Sequence, residues 1–197
     1  MESKVVVERP SFTGAVLTGG RSSRMGRDKA LLRVEEIPMA VRVARAMLEA
    51  GASETFLVGG DVETLGSLAF RVVPDVAPHE GPLAGIIGAL REASEDVVVV
   101  TACDMPWIRA EHVRALVDSL HQFDAVISTC DDQVQPLHAA WKRASVNQLQ
   151  RAFQSGERSP LRATRDMNVS LVNLGAGAWS IDLDTWADVE AMNSRPT

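Results

Sequence analysis

The sequence predicts an α/β fold of three layers, built on a mostly parallel but mixed sheet. Short runs rich in Val, Ile, Leu and Thr alternate with stretches of helical periodicity, the rhythm of βαβ units. The strongest run, "DVVVVTACD" (Asp96–Asp104), is apolar on both faces, as a central parallel strand covered on each side must be. A third observation makes the sheet mixed: Val134–Trp141 follows the strand at Ala125 with no helix between, which calls for a hairpin or an antiparallel insertion.

The elements follow in order. "GAVLT" (Gly14–Thr18) reads as a buried strand, and Pro38–Glu49 as a helix whose apolar positions Met39, Val43, Ala46 and Met47 share one face. "ETFLVGG" is a strand stopped by Gly59 and Gly60, and "FRVVPD" is another ended by Pro74. Gly81–Glu92 is a helix of small and aliphatic residues. After the central strand come a helix over Arg109–His121, a strand over Ala125–Thr129, a strand-like stretch at Leu137–Trp141 and a helix over Ala144–Phe153. Gln154–Met167 is polar and poorly periodic, and is predicted to be mobile. The last third holds "VSLVNL", a short strand in "WSIDLD" and a closing helix from Thr185. No internal repeat, low-complexity tract or Gly/Ser linker interrupts the chain. A flexible N-terminus over 1–11 and a single domain over 12–197 are therefore expected.

Composition narrows the function. The 197 residues are 46% hydrophobic with a formal net charge of -6, and the pI is near 5.2. Such an acidic chain lacks the broad basic face a general nucleic-acid binder needs. No apolar run approaches the roughly 20 residues that span a bilayer, and "MESKVVVERPS", a three-valine patch between charges, does not read as a signal peptide. Cys103 and Cys130 have no metal-type spacing and suit a reducing cytoplasm, the expected location.

Against that acidic background, "LTGGRSSRMGRDKALL" (Leu17–Leu32) gathers Arg21, Arg24, Arg27 and Lys29 around glycines just past the first strand. Ligands of open α/β sheets bind beyond the carboxyl ends of the strands. Glycines let backbone N–H groups approach a phosphate, and the cations add charge and bidentate geometry. Neither a G-x-G-x-x-G nor a P-loop spacing is present, and the alternative is a solvated polar loop. In "TACDMP", Asp104 ends the central strand on the same crevice, where a carboxylate suits a hard cation completed by water and phosphate oxygens. Its alternative, capping the helix near Arg109, is made awkward by Pro106.

Further along, "WSIDLDTWADVE" places Asp182 and Asp184 on one face if the strand extends that far, with Asp182 the preferred second metal ligand and Asp184 equally suited to cap a helix. "HEGPLAGI" offers a backbone-lined pocket edge at Gly81 and Pro82. Asp75 can accept hydrogen bonds from a guanine edge or initiate a helix. "QPLHAAW" sets Gln135 and His138 among apolar residues, where His138 is either ligand surface or a bonded core histidine.

With these pieces, the sequence resembles the molybdenum cofactor guanylyltransferase family of nucleotidyltransferases. Five segments carry the likeness, in order over nearly the whole chain: "LTGGRSSRMGRDKALL", the aspartate of "VVPDVAPHEGPLAG", "CDMP", "QPLHAAW" and "DLDTWADVE". The resemblance implies a Rossmann-like fold of the nucleotide-diphospho-sugar transferase type. It also implies a Mg²⁺-dependent transfer of GMP from GTP to the phosphate of molybdopterin, or Mo-molybdopterin, with release of pyrophosphate. Leu17, Thr18, Gly19 and Gly20 would then meet the nucleotide, with Asp75, Gly81 and Pro82 on its other side. Arg24 and Lys29 would offset phosphate charge, Asp104 would hold the magnesium, with Asp182 the second ligand that spacing alone prefers, and other cofactor-maturation proteins would be partners. Two departures stand out. Thr18 replaces an alanine, and Asp182 and Asp184 occupy positions where the guanylyl branch has asparagines and the cytidylyl branch aspartates. A transferase using CTP or another phosphorylated acceptor, and a nucleotide-binding module without turnover, are the rival readings.

Overall fold

The computed structural model describes residues 10–19 and 29–183. Seven strands form one sheet: β1 (Phe12–Leu17), β2 (Glu54–Val58), β3 (Arg71–Val73), β4 (Val97–Ala102), β5 (Ala125–Cys130), β6 (Gln133–Lys142) and β7 (Val169–Asn173). Their spatial order is β3-β2-β1-β4-β6-β5-β7. All neighbours are parallel except those of β6, which runs against both β4 and β5. The expected hairpin is therefore β5–β6, and its return strand inserts beside the central strand.

Among the described residues, four helices of at least two turns cover the sheet: α1 (Met39–Ala50), α2 (Pro82–Glu92), α3 (Ala110–Ser119) and α4 (Val146–Gln154). Period-two alternation in the buried strands sends side chains to both faces. Val16, Leu57 and Val99 pack with Val43, Met47 and Leu116 of α1 and α3. Ala15, Phe56 and Val100 pack with Ile86, Leu90 and Leu149 of α2 and α4. These are the three layers that the sequence predicts. Gly51 ends α1 in the left-handed region, φ 101°, closing onto the Leu48 and Met47 carbonyls.

Two sequence expectations are corrected. Residues 154–167 are tied down, because local polar bonds replace the missing apolar periodicity. Ser159 caps a helical turn, Pro160–Ala163, and Glu157 accepts from the Ser159 N–H and from Arg162 Nε. Arg158 reaches Glu80 at 2.5 Å with its guanidinium over the Phe153 ring. In "WSIDLD", Ala178–Ser180 is a 3-10 turn and residues 181–183 are not a strand. Trp179 is buried there and donates its Nε1–H to the Gly175 carbonyl, which curls the backbone. Gly20, Arg24, Asp184, residues 1–9 of the N-terminus and the closing helix from Thr185 lie outside the described residues. Ser11, at the end of the segment expected to be flexible, donates to Glu95 at 2.6 Å.

Candidate active site

The strand order reverses between β1 and β4, the place where an open parallel sheet leaves a crevice. The two strand ends are tied there by the Cys103 N–H on the Leu17 carbonyl, 3.0 Å. The turn after β1 locks onto the end of β2. The Thr18 and Gly19 N–H groups both donate to the Val58 carbonyl, at 2.9 and 3.1 Å. The Thr18 hydroxyl donates to the Val58 and Gly59 carbonyls, at 3.1 and 2.7 Å. This corrects the expectation for Gly19: its N–H serves the neighbouring strand and does not face a phosphate. The close approach needs a glycine at position 59, since a Cβ there would lie 2.9 Å from Gly19 Cα.

A cavity of about 390 Å³ opens at this point. Every sequence-predicted nucleotide-binding residue within the described part lines it: Leu17, Thr18, Gly19, Lys29, Asp75, Gly81, Pro82 and Asp104. Lys29 comes from a single 3-10 turn, Lys29–Leu31, and Asp104 from the loop after β4. Their charged groups stand 3.5 Å apart, each side chain about a quarter exposed or less, 21% and 25%.

Asp75 is half-buried two residues beyond β3. Its Oδ1 accepts the Ala77 N–H at 3.0 Å, forming a local turn, while α2 starts only at Pro82, so helix initiation is not its role. Burial pushes its carboxyl above the usual aspartate range, against the smaller opposing pulls of the Ala77 N–H and His79. Its Oδ2 faces the first turn, 3.5 Å from where a Gly19 Cβ would sit. On the far wall, Gly81 (φ 100°) precedes Pro82 at the first position of α2, and the positive end of that helix borders the cavity.

Several lining residues are not singled out by the sequence: Val58 and Cys103, and also His79, Gly85 and Leu137 within the segments "HEGPLAGI" and "QPLHAAW" that read as ligand surface. Gly85 had a signal in the small-residue helix: a Cβ there would lie 3.1 Å from Leu17 Cδ2. Leu137 had one in its proline. Ile127 pairs with Ala139 but Ser128 pairs with Gln135, so β6 bulges at Pro136–His138 and carries Leu137 to the cavity. His138 is the bonded core histidine: it is fully buried, with Nδ1 2.9 Å from Thr101 Oγ1. Burial holds its pKa down at about 3, and His112 pushes the same way. Gln135 is partly buried in β6 and does not line the cavity.

Asp182 is exposed and is not among the cavity-lining residues. Its neighbour Leu183, however, donates its N–H to the Asp104 carbonyl at 3.0 Å. Among the described residues no three His, Cys, Asp or Glu side chains converge as a closed metal site. A partly exposed carboxylate facing a roomy cavity fits a hard cation that keeps waters and takes phosphate oxygens, so the donor chemistry of Asp104 suits Mg²⁺.

Comparison with known proteins bears on the family and the fold. The MobA-like NTP transferase domain family matches residues 14–168. A protein from Pelotomaculum thermopropionicum described as a probable molybdenum cofactor guanylyltransferase is 37% identical over 143 residues, 73% of this chain and 69% of that protein. The fold is shared with molybdopterin-guanine dinucleotide biosynthesis protein A from Archaeoglobus fulgidus, TM-score 0.74 and 24% identity, covering 92% of this chain and 96% of that one. It is also shared with Rv0371C from Mycobacterium tuberculosis, whose structure is a complex with manganese. There the TM-score is 0.69 and the identity 18%, over 92% of this chain and 97% of that one.

Proposed function

Because the chain belongs to the MobA-like NTP transferase family, we propose that it transfers GMP from GTP to the phosphate of molybdopterin, releasing pyrophosphate. The observation that carries this reading is one cavity at the sheet's switch point with Lys29 beside Asp104 on one wall and Asp75 on another. That is a cation and a metal-suited carboxylate for phosphates, with an acceptor for a base.

In the reaction a phosphate oxygen of the acceptor attacks the α-phosphorus of GTP, and the bond from that phosphorus to the β-phosphate oxygen breaks. No residue need act as general base, since the acceptor phosphate is already ionised near neutral pH. Catalysis then lies in positioning and charge neutralisation. Lys29 meets the triphosphate and follows the charge onto the leaving pyrophosphate. Asp75 accepts from the guanine N1–H and amino group, and Leu17 packs beneath the nucleotide against α2. Asp104 would hold Mg²⁺, with Asp182 of the neighbouring segment as the candidate second ligand, and the ion would supply charge neutralisation for the phosphates. By the family resemblance, Gly20 and Arg24 act with Lys29 on the phosphates. Residues 12–197 serve as one transferase domain, working in the cytoplasm alongside other cofactor-maturation proteins. None of the described helices is long and apolar enough to cross a membrane.

A second reading, transfer of CMP from CTP, is favoured by the aspartates at 182 and 184. The test is pyrophosphate release from GTP and from CTP with Mg²⁺ and molybdopterin. Release with GTP supports the guanylyl reading, and release with CTP alone replaces it. Binding of either nucleotide without turnover leaves a nucleotide-binding module.

A further inference from the structure

The segment after β7 returns across the carboxyl ends of the sheet to the candidate active site. It leaves the sheet at Leu174, whose N–H donates to the Thr129 carbonyl at 3.0 Å. Trp179 anchors its middle. The ring is buried, 5.4 Å from His112 and 5.9 Å from His138 between centroids. Ser180 Oγ donates to the Gly177 carbonyl and to Cys130 Sγ, both at 3.1 Å. The segment then reaches Leu183, where two contacts coincide. The Leu183 N–H holds the Asp104 carbonyl at 3.0 Å. Its side chain is fully buried in a small cluster of its own with Leu32, Val34 and Met39.

That small cluster is the platform of Lys29. The Leu32 N–H donates to the Lys29 carbonyl at 3.0 Å, and the Leu32 carbonyl accepts from Met39 at 2.8 Å. Leu183 is therefore bonded to the backbone of Asp104 and packed on the residues that seat the Lys29 turn. Leu32, Val34 and Met39 belong to neither of the two large core clusters.

We propose that Leu183 is a positioning residue that sets Lys29 and Asp104 at their working separation. This rests on the reading above, in which those two groups act on the triphosphate. A shift of about 1 Å between reacting groups can cost about 100-fold in rate, so the lever is large even though Leu183 touches no substrate. A leucine that merely filled core volume would affect stability and leave the site's metal binding alone.

The experiment compares the full-length chain with Leu183→Ala, Leu183→Val and Leu183→Met. It reads kcat and KM for GTP by pyrophosphate release. It also reads Mn²⁺ binding in the presence of GTP, by the electron paramagnetic resonance of free Mn²⁺. The expected result is a graded fall in kcat, about threefold or more for Val and about tenfold or more for Ala, with KM for GTP within about threefold. Mn²⁺ binding weakens in the same order, and Leu183→Met, which conserves volume, restores both. Folded Val and Ala variants with kcat and Mn²⁺ binding within twofold of the parent overturn the proposal. If Ala does not fold, Val decides by the same two readouts. A parent chain that turns over no GTP removes the guanylyl reading alone, and the Mn²⁺ series then decides the positioning claim.

Discussion

Lys29 Nζ lies 3.5 Å from Asp104 Oδ2, although 75 residues separate them in sequence. Lys29 reaches the crevice from the segment after β1 and Asp104 from the end of β4, and β1 and β4 are neighbours in the sheet. In the proposed reaction a triphosphate entering this cavity would meet an ammonium and a carboxylate suited to a cation together. Lys29→Ala and Asp104→Ala should each lower kcat by about 100-fold or more, the usual effect of deleting one preorganised electrostatic group. Pyrophosphate release under saturating nucleotide is the measurement. A near-normal rate for Asp104→Ala would remove it from the metal site.

Asp75 should decide affinity for the base. Asp75→Asn exchanges one acceptor oxygen for a donor and should raise KM for GTP about 10-fold or more, with a smaller loss for ITP, which lacks the amino group. Because burial holds its carboxyl above the usual range, Asp75 takes up a proton at a higher pH than an ordinary aspartate. Affinity for GTP should therefore start to fall, as pH is lowered, before a free carboxylate would titrate. A flat KM profile across mildly acidic pH would contradict this assignment.

The lock between the turn after β1 and the end of β2 should be sensitive to single atoms. Thr18→Val keeps shape but removes the hydroxyl that donates to the buried Val58 and Gly59 carbonyls, and should cost about 1–3 kcal/mol in urea unfolding. Gly59→Ala should cost at least about 1–2 kcal/mol, since φ is 76° and the new Cβ would sit 2.9 Å from Gly19 Cα. It should also weaken nucleotide binding, because Gly19 must move. Wild-type stability in either variant would mean that this lock is slack.

His138 should make the protein acid-sensitive. Its folded pKa is about 3 against a model-peptide value of 6.5, so the unfolded chain binds the proton first. Above about pH 6.5 it contributes no pH dependence. As pH falls below that value, stability should drop by up to ~1.4 kcal/mol per unit, a slope that continues down to about 3. His112, also held below its ordinary value by burial, should add to the loss. Urea midpoints for the parent should therefore fall between pH 7.5 and 5.5, and fall less for His138→Gln. An equal fall in both would clear His138.

Much of this was legible in the residues. β1 and β4 are apolar on both faces, so their place at the sheet centre follows from pattern alone, and the helix-free return at Val134–Trp141 foretold the antiparallel strand. Lys29, Asp75 and Asp104 could be named because strand ends marked by glycine, proline or a sudden carboxylate converge at a switch point. Leu137 carried only the signal of its preceding proline, because a bulge in the β5–β6 register is what brings it to the cavity. The 3-10 turn at Trp179 was read as strand because alternation in "WSIDLD" outweighed an indole that needed a hydrogen-bond acceptor.

Periodicity and composition act locally, so the residues alone dictate the α/β alternation, the buried strands and the residue types gathered at the crevice. What each polar group bonds is settled only by long-range packing. β2 lies beside β1, so the Thr18 and Gly19 donors turn to Val58. Leu183 returns to Asp104, so two distant charges share one support. A hydrogen bond's partner is chosen by which strand or segment lies alongside, and that neighbour is set by the packing of the whole sheet.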